Sequence, residues 1–201
     1  GTYIIKPVWE EASVGLDEDS VVPVRAAGGL QAALVRGAER CGGEVFAEQF
    51  IDGREFNLSV LAEAAADGTS AGGPDVLPPA EIDFVDYASG KPKVVGYRAK
   101  WDAASFEFHH TPRRFDFPSE DRPLLDELSR IAARCWRVFG LRGYVRVDFR
   151  VDAAGRPFVL EVNANPCLAP DAGFYAATQQ AGLPFAAVVS RILADAMRGR
   201  P

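Results

Sequence analysis

Residues 144–166, YVRVDFRVDAAGRPFVLEVNANP, have the pattern of a β-hairpin. From Tyr144 to Val151 the apolar Val145, Val147, Phe149 and Val151 alternate with Tyr144, Arg146, Asp148 and Arg150. A period of two marks a strand with one buried face. From Pro157 to Asn163, Phe158, Leu160 and Val162 alternate with Val159, Glu161 and Asn163, and Asp152–Arg156 is the turn. Opposed residues of an antiparallel pair must share a face. Setting Val151 opposite Pro157 mixes the apolar and polar sets, whereas setting Asp152 opposite Pro157, with 153–156 as the loop, keeps them apart. In that register Asp148 faces Glu161 and Arg146 faces Asn163.

Directly opposed side chains have Cβ atoms about 5 Å apart, and like charges there repel. Two facing carboxylates and an amide oxygen therefore invite a cation. An all-oxygen set suits Mg²⁺ or Mn²⁺, and Mg²⁺ commonly arrives with substrate phosphates. The neighbouring Arg146 points to an anion in the same place. The alternative is an ordinary solvated sheet face, since antiparallel sheets are commonly polar on one side. Against that alternative, Asn163-Ala164-Asn165-Pro166 sets two amides and a turn-forming proline beside the carboxylates.

The length of 201 residues is enough for one sizeable core or a little more. Apolar residues make up 48% and charged residues 25%, as in ordinary globular proteins. A net charge of −6 argues against a broad nucleic-acid footprint. No apolar run approaches the ~20 residues of a membrane span, and no signal peptide is visible. The three cysteines, Cys41, Cys135 and Cys167, are widely spaced without a CxxC pair and read as reduced thiols of a cytoplasmic protein. The chain opens at Gly1-Thr2 directly on an apolar strand without Met, which leads us to expect a missing upstream part.

Asp148, Glu161-Val162-Asn163 thirteen residues on, and Asn165-Pro166 together resemble the metal-binding end of the ATP-grasp fold, in particular its D-alanine–D-alanine ligase branch. The resemblance extends over nearly the whole chain. It implies an α+β fold with an antiparallel sheet core flanked by helices. Residues 1–53 would form part of a small ATP-clamping subdomain, and 54–201 the catalytic core, with a mobile loop at about 86–118. An N-terminal substrate domain would precede them.

The resemblance also assigns roles. Tyr3-Ile4-Ile5 is a strand ending in Lys6-Pro7, and Lys6 would contact nucleotide phosphates. The loop after it, with Ser13 and Gly15, would close over them with backbone N–H groups, although Glu11 and Ala12 stand where small residues are common. It is not a Walker A motif, since no GK[ST] occurs. Glu48-Gln49-Phe50-Ile51 would take adenine through backbone groups, and Glu55, after Asp52-Gly53, would accept from the ribose hydroxyls. In Tyr97-Arg98-Ala99-Lys100-Trp101, Lys100 would be a second phosphate lysine. Trp101 stands where the family often has a tyrosine that latches the loop, and an indole donates but cannot accept. Asp148, Glu161 and Asn163 would hold the metal, and Arg146 would stabilise the transferring group. Arg150 is read as structural. Cys167-Leu168-Ala169 and Ala172-Gly173 replace the Gly-Met-Thr and Ser-Leu of the ligases, so a hydroxyl donor for the acceptor's carboxylate is missing, and Asp171 could instead meet an amine.

Elsewhere the spacing predicts a helix over 29–40 with Leu30, Ala33, Leu34 and Ala38 inward, a strand over 44–51, and a loop or disordered tip over 64–79. Another helix is predicted over 119–139, capped by Ser119, with Leu124, Leu128, Ile131, Cys135 and Val138 inward. Helices over 172–181 and 184–197 follow, the second with Phe185, Val188, Val189, Ile192 and Ala196 inward, and 198–201 as a frayed tail. His109 and His110 are not read as metal ligands, because adjacent strand residues face opposite ways and no third ligand is near.

The expected activity is ATP- and Mg²⁺-dependent carboxylate–amine ligation through an acyl phosphate. An ATP-grasp kinase acting on a hydroxyl, or a non-catalytic nucleotide-binding fragment, would share the same residues. Expected partners are small-molecule substrates, with no nucleic acid and no membrane; the resemblance allows a homodimer of the full-length parent.

Overall fold

The computed structural model describes residues 1–65 and 70–198. The chain divides into two compact units, Gly1–Gly53 with Asp83–Pro112, and Arg54–Ile82 with Arg113–Pro201. The sequence division at residue 53 leaves 86–118 with the later part; by its contacts, 83–112 joins the first 53 residues.

In the first unit β1 (Thr2–Pro7) runs antiparallel between β2 (Val21–Pro23) and β3 (Val45–Gln49). Helix α1 (Gly29–Cys41) packs on this sheet. A Cβ on Gly37 would lie 2.5 Å from Ile5 Cγ2, so helix and strand approach this closely because residue 37 has none. Gly42, with φ 68°, ends the helix in the left-handed region that glycine enters without strain. The stretch without periodicity contains α2 (Tyr97–Trp101) and α3 (Phe106–His109), each too short to show a hydrophobic repeat. Lys91 fixes this stretch, with Nζ 2.8 Å from both Glu18 and Glu107 and 4.7 Å from the Phe106 ring centre. His109 ends α3 and His110 follows it, where a strand was assumed, and His110 stacks on Phe106 at 3.8 Å between ring centres.

In the second unit the sheet order is β7 (Arg113–Arg114), β6 (Ala80–Ile82), β4 (Gly53–Ala64), β8 (Tyr144–Asp152), β9 (Pro157–Asn163), with β5 (Ser70–Val76) also on β4. β5 corrects the expected loop over 64–79, whose residues 66–69 lie outside the described residues. Helix α4 (Arg122–Val138) packs Leu128, Ala132, Cys135 and Trp136 onto Phe56, Leu58, Val60 and the apolar face of β8. Each of these large side chains, fully buried, contributes about 1.5–3 kcal/mol. A second cluster joins Leu61 and Leu77 to Phe174 and Ala177 of α5 (Gly173–Gln180) and Val188 of α6 (Phe185–Met197).

Three helix expectations change. Ser119–Asp121 is a 3₁₀ turn ahead of α4, which has Pro123 in its first turn. Val138 is 67% exposed, and Trp136 takes the inward place. On α6, Val189 and Ala196 face outward, whereas Asp195 is 1% exposed and accepts from the Gly143 N–H at 2.8 Å. Of the expected tail, 199–201 lie outside the described residues.

Candidate functional site

The hairpin places Arg146 opposite Asn163, Val147 opposite Val162 and Asp148 opposite Glu161, as the face argument requires. Beyond that point the register shifts. Phe149 faces Val159, Arg150 faces Phe158 and Val151 faces Pro157, so Leu160 is an extra residue on β9. This β-bulge reconciles two demands that differ by one residue. The turn wants Val151 against Pro157. Asp152 closes it, its N–H donating to the Arg156 carbonyl at 3.1 Å and its Oδ1 accepting from the N–H groups of Ala154 and Arg156, both at 2.9 Å. The polar end wants its two carboxylates opposed. The pairing rejected on pattern grounds therefore does occur, but only on the turn side of the bulge.

Around the opposed carboxylates the charges are ordered. Arg146 donates from Nε and Nη2 to Asp148 at 2.7 and 2.6 Å, and Nη2 lies 3.6 Å from Glu161. Burial works against the Arg146 charge, but Asp148, Glu161 and Glu55 outweigh it and hold its pKa above the ordinary arginine value. Asp148 is buried and Glu161 exposed, so the pair opens toward solvent at Glu161. Asn163 Oδ1 accepts from the Asn165 N–H at 2.9 Å, and Tyr144 Oη donates to Asn165 Oδ1, which fixes the turn leading to Pro166. On the same face Arg150 is 3% exposed and meets Glu55 Oε2 at 3.1 Å. Glu55 thus carries a structural ion pair, though a carboxylate has further acceptor positions beyond one guanidinium.

Among the described residues no three His, Cys, Asp or Glu side chains converge on a metal position. The candidate set is two carboxylates and an amide, and its donor chemistry fits Mg²⁺ or Mn²⁺. The Arg146 guanidinium is a cation that both carboxylates approach in the structure.

In the first unit Lys6, near the end of β1, forms an ion pair with Glu48 of β3. Gln49 closes β3, and the Phe50 N–H donates to the Thr2 carbonyl at 2.9 Å. Ala12 and Ser13 adopt φ of 54° and 66°, a costly region for residues with a side chain. That backbone is held from one side. Ser13 Oγ donates to the Val95 carbonyl at 2.9 Å, the Tyr97 N–H donates to the Leu16 carbonyl at 2.9 Å, and Trp101 Nε1 donates to the Ala12 carbonyl at 2.9 Å. The tryptophan therefore ties the two segments as a donor, without the accepting oxygen that a tyrosine would bring. Lys100 stands beside it on α2, half-buried and outside any ion pair among the described residues.

The structure also brings up Arg113, which the sequence reading passed over. It adjoins Asp171 and Gly173, with Nη2 donating to the Asp171 carbonyl at 2.9 Å. The one available signal was the doublet Arg113-Arg114 after Pro112: in a strand, adjacent residues point to opposite faces.

These features have the fold of the ATP-grasp enzymes. The D-alanine–D-alanine ligase of Bacillus anthracis complexed with ATP superposes with a TM-score of 0.64 at 22% identity, over 98% of this chain and 53% of that one. The family model described as the D-ala D-ala ligase C-terminus matches residues 2–194, and the chain belongs to that family. Among curated relatives, the D-alanine–D-alanine ligase of Dichelobacter nodosus is 30% identical over 97% of this chain and 54% of its own length. That of Chromohalobacter salexigens is 33% identical over 94% and 51%. The chain spans about half the length of these relatives. The three cysteines are free thiols, and no described helix is long and apolar enough to cross a membrane.

Proposed function

We propose that this chain is the ATP-binding catalytic part of a cytoplasmic, ATP-dependent carboxylate–amine ligase of the D-alanine–D-alanine ligase kind. The observation that carries the reading is the opposition of Asp148 and Glu161 around Arg146, at the end of a hairpin whose register is adjusted by a bulge to keep them opposed. In the reaction a carboxylate oxygen attacks the γ-phosphorus of ATP and ADP leaves, giving an acyl phosphate. The amine nitrogen then attacks the acyl carbon, the C–O bond to phosphate breaks, inorganic phosphate leaves and the nitrogen loses a proton.

Such chemistry asks for positioning and for positive charge where negative charge develops. Lys6 and Lys100 are assigned to the nucleotide phosphates, the 12–15 loop to backbone contacts with them, Glu48-Gln49-Phe50-Ile51 to adenine and Glu55 to the ribose. Asp148, Glu161 and Asn163 would hold Mg²⁺ or Mn²⁺, which supplies positive charge to the triphosphate. Arg146, beside these carboxylates, would face the transferring group and the tetrahedral intermediate. Lys6 would exchange its partner Glu48 for phosphate.

The test is to incubate the full-length protein with ATP, Mg²⁺ and a panel of α-amino acids of both hands in hydroxylamine. A ligase releases ADP and forms an acyl hydroxamate, and Asp148→Asn lowers both at least a hundredfold in a protein that stays folded at the assay temperature. ADP release with phosphate transferred to a hydroxyl, and no hydroxamate, contradicts the proposal and favours a kinase.

A further inference from the structure

The segment 128–147 carries Arg130, Arg134, Arg137, Arg142 and Arg146 and no Asp or Glu, in a chain whose net charge is −6. Arg146 belongs to the hairpin site, and Arg130 pairs with Glu127. Arg137 and Arg142 instead line a cavity of about 580 Å³ at the C-terminal end of α4, together with Arg198 just past the end of α6. Trp136, which is buried, Leu141 and Gly72 complete its wall. Helix α4 covers the apolar face of β8, the face opposite Asp148, so this cavity is separate from the candidate site.

The chain itself sets these guanidiniums in place. Arg142 Nη2 donates to the main-chain carbonyls of Asp195 and Arg198 at the end of α6, where helix carbonyls favour a cation. Asp195, 1% exposed, has one oxygen 3.5 Å from Arg142 Nε and the other 3.5 Å from Arg198 Nε. A Cβ on Gly72 would overlap the Arg198 guanidinium, which rests on the β5 backbone only because residue 72 has no side chain. One carboxylate thus serves two guanidiniums, and Arg137 makes no ion pair among the described residues. Three guanidiniums and the one carboxylate they approach leave a surplus of two positive charges. The C-terminal dipole of α4 accounts for one cation near its last turn, not for three around one cavity.

A single carboxylate group would neutralise half of that surplus. An oligophosphate carries several charges on adjoining groups, and guanidiniums pair with phosphate oxygens through parallel N–H donors. The volume suits a small metabolite rather than a lone ion. We infer that the cavity at the end of α4 binds an oligophosphate, either pyrophosphate or the diphosphate of a nucleotide. This site is independent of the ligase reading above.

The experiment follows the Trp136 indole N–H by NMR, assigned through its loss in Trp136→Phe, as pyrophosphate or ADP is added to the chain in EDTA at fixed ionic strength. A saturable movement of that resonance is expected. Tighter binding of ADP identifies the nucleotide as the source of the oligophosphate, and equal or tighter binding of pyrophosphate identifies the inorganic anion; either supports the inference. Arg137→Gln and Arg198→Gln should each weaken binding roughly tenfold, since each removes one charge-assisted contact, and Arg137→Lys should recover part of it. Both side chains are exposed, so the variants stay folded, and binding of ATP with Mg²⁺ at the hairpin should be unchanged in them. A Trp136 resonance that does not move, that moves equally with sulfate, or that moves alike in the wild type and both glutamine variants overturns the inference.

Discussion

Replacing Arg54 with Met removes the cation that joins the start of β4 to β6 and to the turn before α4. Arg54 donates from Nε and Nη2 to Glu81 and from Nη1 and Nη2 to Asp121, each at 2.7 Å. Losing one partner of a fully buried ion pair costs about 3–5 kcal/mol. Two features reduce that figure here. Arg54 keeps 32% of its side-chain surface in water, so its charge is already screened, and Glu81 retains Arg114. The expected loss is about 2–3 kcal/mol at pH 7, read as a lower urea midpoint with little change in slope.

The pH dependence gives a second check on the same substitution. Arg54's hydrogen bonds hold the Asp121 carboxyl below its ordinary value, against the opposing effect of burial. A carboxyl lowered in the folded state stabilises above its unfolded pKa and stops doing so as pH falls through the folded value. The gap between wild type and Arg54→Met should therefore be constant from pH 8 to about 5 and narrow below about 4. A gap under about 0.5 kcal/mol at pH 7, or one unchanged at pH 3, would refute this reasoning.

Other outcomes follow from the first unit. In Gly96→Ala the new Cβ would lie 2.6 Å from the Leu16 carbonyl oxygen, a backbone atom that cannot rotate away; the substitution should cost about 1–3 kcal/mol and speed proteolysis around 95–101. Burial would raise the Glu107 pKa, but the hydrogen bond from Lys91 and the nearby Arg98 pull it down to about 2. In Lys91→Met it should rise by carboxyl NMR, and an unmoved titration would rule out Lys91 as the cause.

How much of this was legible in the sequence depended on the range of the interactions. Alternation along 144–151 and 157–163, which must keep apolar and polar sets apart across the pair and so leaves 153–156 as the loop, was enough to oppose Asp148 and Glu161. It could not show Leu160 as a bulge, because a bulge arises where two local preferences disagree by one residue, and each looks regular alone. The α1 and α4 stripes were readable from their period, but the end of α4 was not: Val138 continues the apolar spacing past the point where the core stops. Short elements such as α2 and α3 hold their place through Lys91, Trp101 and Ser13, contacts between positions 73 to 89 residues apart for Lys91–Glu18, Ser13–Val95 and Trp101–Ala12. No local pattern encodes those pairs. For the same reason the partners of other site residues stayed hidden, including Glu48 on Lys6 and Arg150 on Glu55. Opposite charges were visible in the sequence, but which of them meet is decided by the fold.

The most direct test of the hairpin site is titration calorimetry of ATP into this chain with Mg²⁺ and with EDTA, for the wild type and for Asp148→Asn combined with Glu161→Gln. The account predicts metal-dependent binding by the wild type and its loss in the double variant, with both proteins folded. Binding of equal strength in the two proteins, or none by the folded wild type, would contradict the assignment of Asp148 and Glu161 to a metal–triphosphate site.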